Sequence, residues 1–190
     1  MVINQLLRPV FGYLAIQHPK KRFVDWVLPA GLSLIATLVI YLSRTNLNFF
    51  GSGGVISLVL GYIQNLPGFY IAALAAIATF ARPDIDFLMP GDPPPRILSE
   101  DNRGVVNLIQ LTRRRFLSLL FAFLTIECIF LTLLSIAMIV AAPGILHLLD
   151  ELGHKIAYAV TVFFYFLILF QLLIATLWGL YYLGERIHQA

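Results

Sequence analysis

Long apolar runs divide the chain into four parts, residues 26–43, 54–80, 116–141 and 156–182, with polar connections between them. Each run reaches or approaches the roughly 20 residues that a helix needs to cross a bilayer, so the pattern predicts one all-α transmembrane domain of four spans. The first run contains Pro29, which a helix tolerates in its first turn, where the missing N–H has no partner to lose. In the second, Gln64, Asn65, Pro67 and Gly68 fall near the middle. Proline removes an N–H and clashes with the preceding turn, which predicts a kinked or broken helix. Amides at that depth find no partner in hydrocarbon, so the break is expected to face the inside of a bundle. Beyond it, Gly68, Ala72, Ala75, Ala76 and Thr79 fall on one narrow side, a small-residue stripe that allows close helix packing.

Composition agrees with the pattern: 59% of the 190 residues are hydrophobic and 12% charged, against about 25% charged in soluble domains. The positive charges are unevenly placed. Eleven of the thirteen Lys and Arg residues precede the first span, lie between the second and third, or follow the fourth; only Arg44 and Lys155 lie in the other two connections. The positive-inside rule then puts both termini and the loop of residues 82–115 in the cytoplasm, as expected for a bacterial inner-membrane protein. Lys20, Lys21, Arg22 and Arg113, Arg114, Arg115 flank spans directly, a placement that points to lipid headgroups and not to nucleic acid. Residues 1–16 are broken by Arg8, Pro9 and Gly12 and are too short to cross, so they are expected to lie along the inner face. The basic HPKKR cluster follows this segment instead of preceding it, unlike a cleavable signal peptide. Cys128, the only cysteine, permits no intrachain disulfide.

The connections carry secondary candidates. Phe49 and Phe50 form part of a short external link or line an external mouth. In the middle loop, residues 81–96 hold five prolines and three aspartates and are expected to be extended and stiff. Ser99 or Asp101 can cap a following helix with Val105, Leu108, Ile109 and Leu111 on its apolar side. Asp84, Asp86, Phe87, Leu88, Met89 and Asp92 either offer a docking surface to a cytosolic partner or a neighbouring subunit, or fold back over the bundle. His147, Asp150, Glu151 and His154 recur at helical spacing; they form a pH- or metal-responsive cluster or belong to an ordinary interfacial helix. No metal or cofactor is expected.

Within the spans, Glu127 is the principal candidate, because an ionisable residue at mid-membrane is costly and functional by default. With spans alternating in direction, Asn65, Glu127 and Gln171 fall at about one depth. Such a layer can set helix register by hydrogen bonds, or line a wet path through an assembly. Thr125, Thr132 and Thr161 add hydroxyls there or bond back to their own helices. Trp178, Tyr181 and Tyr182 make an aromatic belt at the end of the fourth run. Enzymatic activity is not expected: HExxH, GxSxG, CxxC and phosphate-binding glycine motifs are missing, and Glu127 is the only acid expected within a span.

The YIAALAAIATF segment, the charged link after it and the polar-centred third span resemble the small four-helix inner-membrane proteins of bacterial phage-exclusion and phage-defence systems, such as the RexB ion-channel protein and the membrane component of Kiwa. That resemblance implies an oligomeric membrane effector or sensor, ion-permeable or responsive to membrane disturbance, that works with a cytosolic partner. The competing expectation is a passive anchor that recruits a cytosolic protein through residues 82–115.

Overall fold

The computed structural model describes residues 10–43, 47–51, 53–79, 81, 83–100, 106–146 and 150–184. Its first long helix, α1 (Pro19–Leu42), begins well before the predicted run, because His18 is extended and Pro19 takes the first helical position. Pro29 therefore lies inside the helix. Its missing N–H leaves the Asp25 carbonyl, four residues earlier, without its α-helical donor. Here the helix loosens into a π-helical turn, Phe23–Val27, in which the Leu28 N–H reaches the Phe23 carbonyl. Asp25, Pro29, Ser33 and Ile40 form the buried side of α1.

The second run is broken as predicted, into α2 (Val55–Ile63) and α3 (Leu66–Thr79). Pro67 cannot donate to the Ile63 carbonyl, and the Cys128 thiol of the next long helix takes that place, with Sγ 3.1 Å from the oxygen. Cys128→Ala is expected to cost about 1 kcal/mol beyond the lost packing, and less in a Pro67→Ala background, where the backbone N–H returns. Unfolding free energies of the two single variants and the double variant check this coupling. Additive costs would mean that the thiol does not serve the break.

With α2 and α3 taken together as Val55–Thr79, helices α4 (Arg113–Leu146) and α5 (Glu151–Gly184) complete four segments long and apolar enough to cross a membrane. Glu151 and His154 fall in the first turn of α5 and so do not belong to a separate interfacial helix; residues 147–149 lie outside the described residues. Helix α1 packs along α5, α5 on α4, and α4 on α2 and α3. Close approach of α5 to α4 is set at Gly179, where an added Cβ would stand 3.1 Å from Leu120 and 3.3 Å from Phe121. At one end Phe49 is buried against Tyr158, Tyr165 and Phe166, so it seals that end as core and does not line a mouth.

The opposite end differs most from expectation. Instead of a helix leading into α4, residues Arg96–Glu100 (β1) and Val106–Gln110 (β2) pair antiparallel, with Ile97 opposite Ile109, so the fold is helical with one small hairpin. Val106, Ile97 and Ile109 are β-branched and suit a strand better than a helix. Leu111 and Ile97 point into the core while Leu98, Val106 and Leu108 stay exposed. Asp101 and Val105 lie outside the described residues. The preceding segment folds back as a 3-10 turn, Pro83–Asp86, and ties to the start of α4 through Met89 N–H to Leu111 O and Arg113 N–H to Phe87 O.

Residues 10–14 are helical and, with 15–17, belong to this end. Residues 1–9 of the expected surface arm lie outside the described residues, and the part described is packed into the fold. Tyr13 and Ile16 are buried, Tyr13 stacks on Phe123 of α4, and Gln17 exchanges backbone hydrogen bonds with Arg96.

Candidate functional site

The interior polar groups are set by the register of α1 against α5. Ser33 Oγ donates to the Phe163 carbonyl at 2.5 Å, and the two helices run in opposite directions. Asp25 is eight residues before Ser33 and Gln171 eight after Phe163, so both stand about 12 Å further along, at one level. Glu127 of α4 lines the same cleft as Gln171. Asp25, Glu127 and Gln171 are thus gathered from three helices, and all three are buried.

Their surroundings differ. Asp25 is fully partnered: Tyr13 Oη donates to one carboxylate oxygen at 3.0 Å, and the Lys21 ammonium, one helical turn back, pairs with the other. The Lys21 ammonium also lies 4.1 Å from the centre of the Tyr13 ring. Burial, and then the charge of Asp25, push the Tyr13 phenol well above its ordinary pKa, so it remains a donor. Glu127 is close enough for its charge and that of Asp25 to act on each other, yet its Oε2 is buried with no hydrogen-bond partner. A buried polar atom without a partner costs about 1–3 kcal/mol, more if charged. Lys21 offsets one acid, which leaves Glu127 uncompensated.

Comparison with protein-family models, curated proteins and solved structures gives no match.

Glu127 and Gln171 are brought together, but the rest of the expected polar layer is not. Gln64, Asn65 and Gly68 are exposed and Pro67 is half-buried. The Ile63 carbonyl meets Cys128 on one flank of α4, while Glu127 faces the arm, α1 and α5 on the other. The break reaches the predicted depth but turns away from the interior. The small-residue stripe behaves likewise. Gly68, Ala72, Ala75 and Thr79 are exposed and Ala76 half-buried, so they mediate no close packing within the chain; Ile77 and Tyr70 supply the inward contacts of α3 instead. The Thr125 and Thr132 hydroxyls bond back to the carbonyls of Phe121 and Cys128.

The basic residues divide in a similar way. Lys20 and Arg22 are exposed, but Lys21 is committed to Asp25, and Arg113 is buried. Arg114 holds Asp86 through two nitrogens, at 2.6 and 2.9 Å, and donates to the Ile77 carbonyl. The hydrogen bonds from Arg114 hold the Asp86 carboxyl below the ordinary aspartate range. Arg115 reaches Ser99 Oγ at 3.4 Å. These cations lock the loop and hairpin to α4 and are not all left for headgroups. Of the expected docking residues, Asp84, Phe87, Leu88 and Asp92 are exposed, Asp86 is exposed but engaged, and Met89 is buried.

At the far end, Asp150 Oδ1 accepts from the Gly153 N–H at 3.1 Å, and Glu151 pairs with Lys155 at 2.6 Å, so both acids serve the start of α5. His147 lies outside the described residues. Among those described, no group of three His, Cys, Asp or Glu side chains converges on a metal position.

Asp25 is not among the residues that the sequence singles out, because a first run that begins at Trp26 leaves it outside the span. Three signals mark it: Pro19 as a helix start, Lys21 and Asp25 one turn apart, and the spacing of four that carries Asp25 onto the side of Pro29 and Ser33.

Proposed function

We propose that this chain is a multi-pass inner-membrane protein, with both termini and the hairpin in the cytoplasm. It assembles with copies of itself and works as an effector or sensor through the acid level of Asp25 and Glu127. One observation supports this above the rest: Glu127 Oε2 is buried without a partner. An acid kept only to tie helices together would have its oxygens bonded, as those of Asp25 are. Glu127 instead holds or releases a proton according to what reaches it, so its charge is available to gate a leak or report a disturbance. The phage-exclusion resemblance fits such a role. In reconstituted vesicles, Glu127→Gln is expected to change proton or cation leak while leaving assembly intact. An unchanged leak would remove the effector reading.

A second reading, recruitment of a cytosolic protein, has its own support in the exposed apolar side chains at the hairpin end: Phe87, Leu88, Leu98, Val106 and Leu108. Patches of this kind mark interaction surfaces. Under that reading Glu127→Gln has little effect.

A further inference from the structure

Where the arm (residues 10–17) turns into α1, the chain encloses a hollow of about 640 Å³. This volume is within the roughly 300–1,000 Å³ of small-molecule sites. Its wall exposes polar as well as apolar surface, and the titratable and charged side chains on it are His18, Lys21, Arg22 and Asp25. Lys21 and Asp25 answer each other. Arg22 is exposed and makes no ion pair or side-chain hydrogen bond among the described residues, and Lys20 stands near enough for its charge to act on His18. The hollow therefore keeps a positive excess, which an anion complements.

Leu14 and Trp26 belong to the wall of this hollow and also to that of a neighbouring cleft of about 320 Å³. The cleft follows α4 from Phe123 to Phe130, seven residues and about 10 Å, with Ile168 of α5 in its wall. It exposes apolar surface alone, since Glu127 and Gln171 border it without presenting their polar atoms. On the transmembrane reading, the first turn of α1 lies where hydrocarbon meets headgroups, and the cleft runs from there away from the cytoplasmic end. A bare anion would leave the cleft unfilled, and an uncharged chain would leave Arg22 unanswered. We propose that hollow and cleft together hold one anionic phospholipid of the cytoplasmic leaflet, its phosphate at Arg22 and His18 and one acyl chain past Trp26 toward Phe130. A zwitterionic headgroup fits less well, because its ammonium would stand among Lys20, Lys21 and Arg22. The proposal rests on the chain spanning the membrane and is independent of Glu127 as a working acid.

The test uses the full chain in phosphatidylcholine vesicles, with Trp178→Phe leaving Trp26 as the single tryptophan. Phosphatidylglycerol brominated along its acyl chains quenches a tryptophan that those chains touch. Quenching is expected to saturate, with an apparent affinity about tenfold or more above that of brominated phosphatidylcholine. Arg22→Gln should cut this preference about fivefold, the effect of one cation at a membrane surface, and Arg22→Lys should keep most of it. Arg96→Gln removes a cation that is exposed at the same end but outside the hollow, and should change nothing. Equal quenching by the two lipids, or equal losses from Arg22→Gln and Arg96→Gln, would overturn the proposal. So would displacement by soluble glycerol phosphate as effective as that by unbrominated phosphatidylglycerol, which would mean that a free phosphate suffices and the cleft takes no chain. Release of the chain from vesicles at alkaline pH defeats the membrane-spanning reading and this inference with it, whereas an inserted chain without lipid preference defeats this inference alone. A lipid preference without a Glu127-dependent leak defeats the effector reading and leaves the inference standing.

Discussion

Asp25→Asn is expected to lower the unfolding free energy of the chain by about 3 kcal/mol, the largest loss from any single conservative change at this site. The carboxylate is buried and holds two groups at once, the Lys21 ammonium and the Tyr13 hydroxyl. Asparagine keeps the shape but leaves the ammonium without its counter-charge in a mostly buried position, its side chain 12% exposed. The estimate is the lower end of what breaking a buried pair costs, because a lysine one turn into a helix can redirect its head toward water. Removing both charges should be milder than removing one. In Lys21→Met with Asp25→Asn no ion is left stranded, and most of the loss should return. Thermal unfolding of the wild type, the two single variants and the double variant in one detergent measures this. A double variant as unstable as the sum of the singles would show that the two groups do not act as a pair.

The same cluster shows what the sequence made legible and where it stopped. Hydropathy alone locates four long helices, since apolar runs of this length have few other uses. Pro67 marks the break, because a proline inside a helix has a local steric consequence that does not depend on neighbours. The depth of Glu127 and Gln171 follows from counting residues. Facing direction does not follow, because α3 is apolar nearly all the way round and Ile71, exposed, reads like Ile77, buried. The hairpin departs from the expected helix for a related reason: over so few residues, Val105, Leu108, Ile109 and Leu111 fit a helical side as well as a strand, and the choice is made by pairing of Val106–Gln110 with Arg96–Glu100. Asp25 needed knowledge of where α1 begins. A start at Pro19 makes it an interior residue, whereas a start at Trp26 leaves it in a flank.

The outward side of the break carries the second large effect. Gln64 and Asn65 are exposed at the level of Cys128, near the middle of the four helices, and neither side chain has a hydrogen-bond partner among the described residues. In hydrocarbon an amide without partners costs several kcal/mol, so on the transmembrane reading this face is covered. A second copy suits it. An amide both donates and accepts, so the same two residues on a symmetry-related helix complement each other, and Gly68, Ala72 and Ala75 allow the backbones to approach. Each bond between helices is worth roughly 0.6–2 kcal/mol, and a two-fold contact makes every one twice. Gln64→Leu with Asn65→Leu is therefore expected to shift the protein from oligomer to monomer by tenfold or more in dissociation constant, about 1.4 kcal/mol or more. Gly68→Ile supplies an independent check, since nothing lies within 4 Å of a Cβ added there and the isolated subunit accepts the side chain without a clash. Sedimentation or mass measurement in detergent and in nanodiscs reads both. Glu127→Gln, on the other flank of α4, should leave the assembly unchanged. If the Gln64 and Asn65 variant and the Gly68 variant stay fully assembled, the copies meet through another surface and the break faces something other than itself.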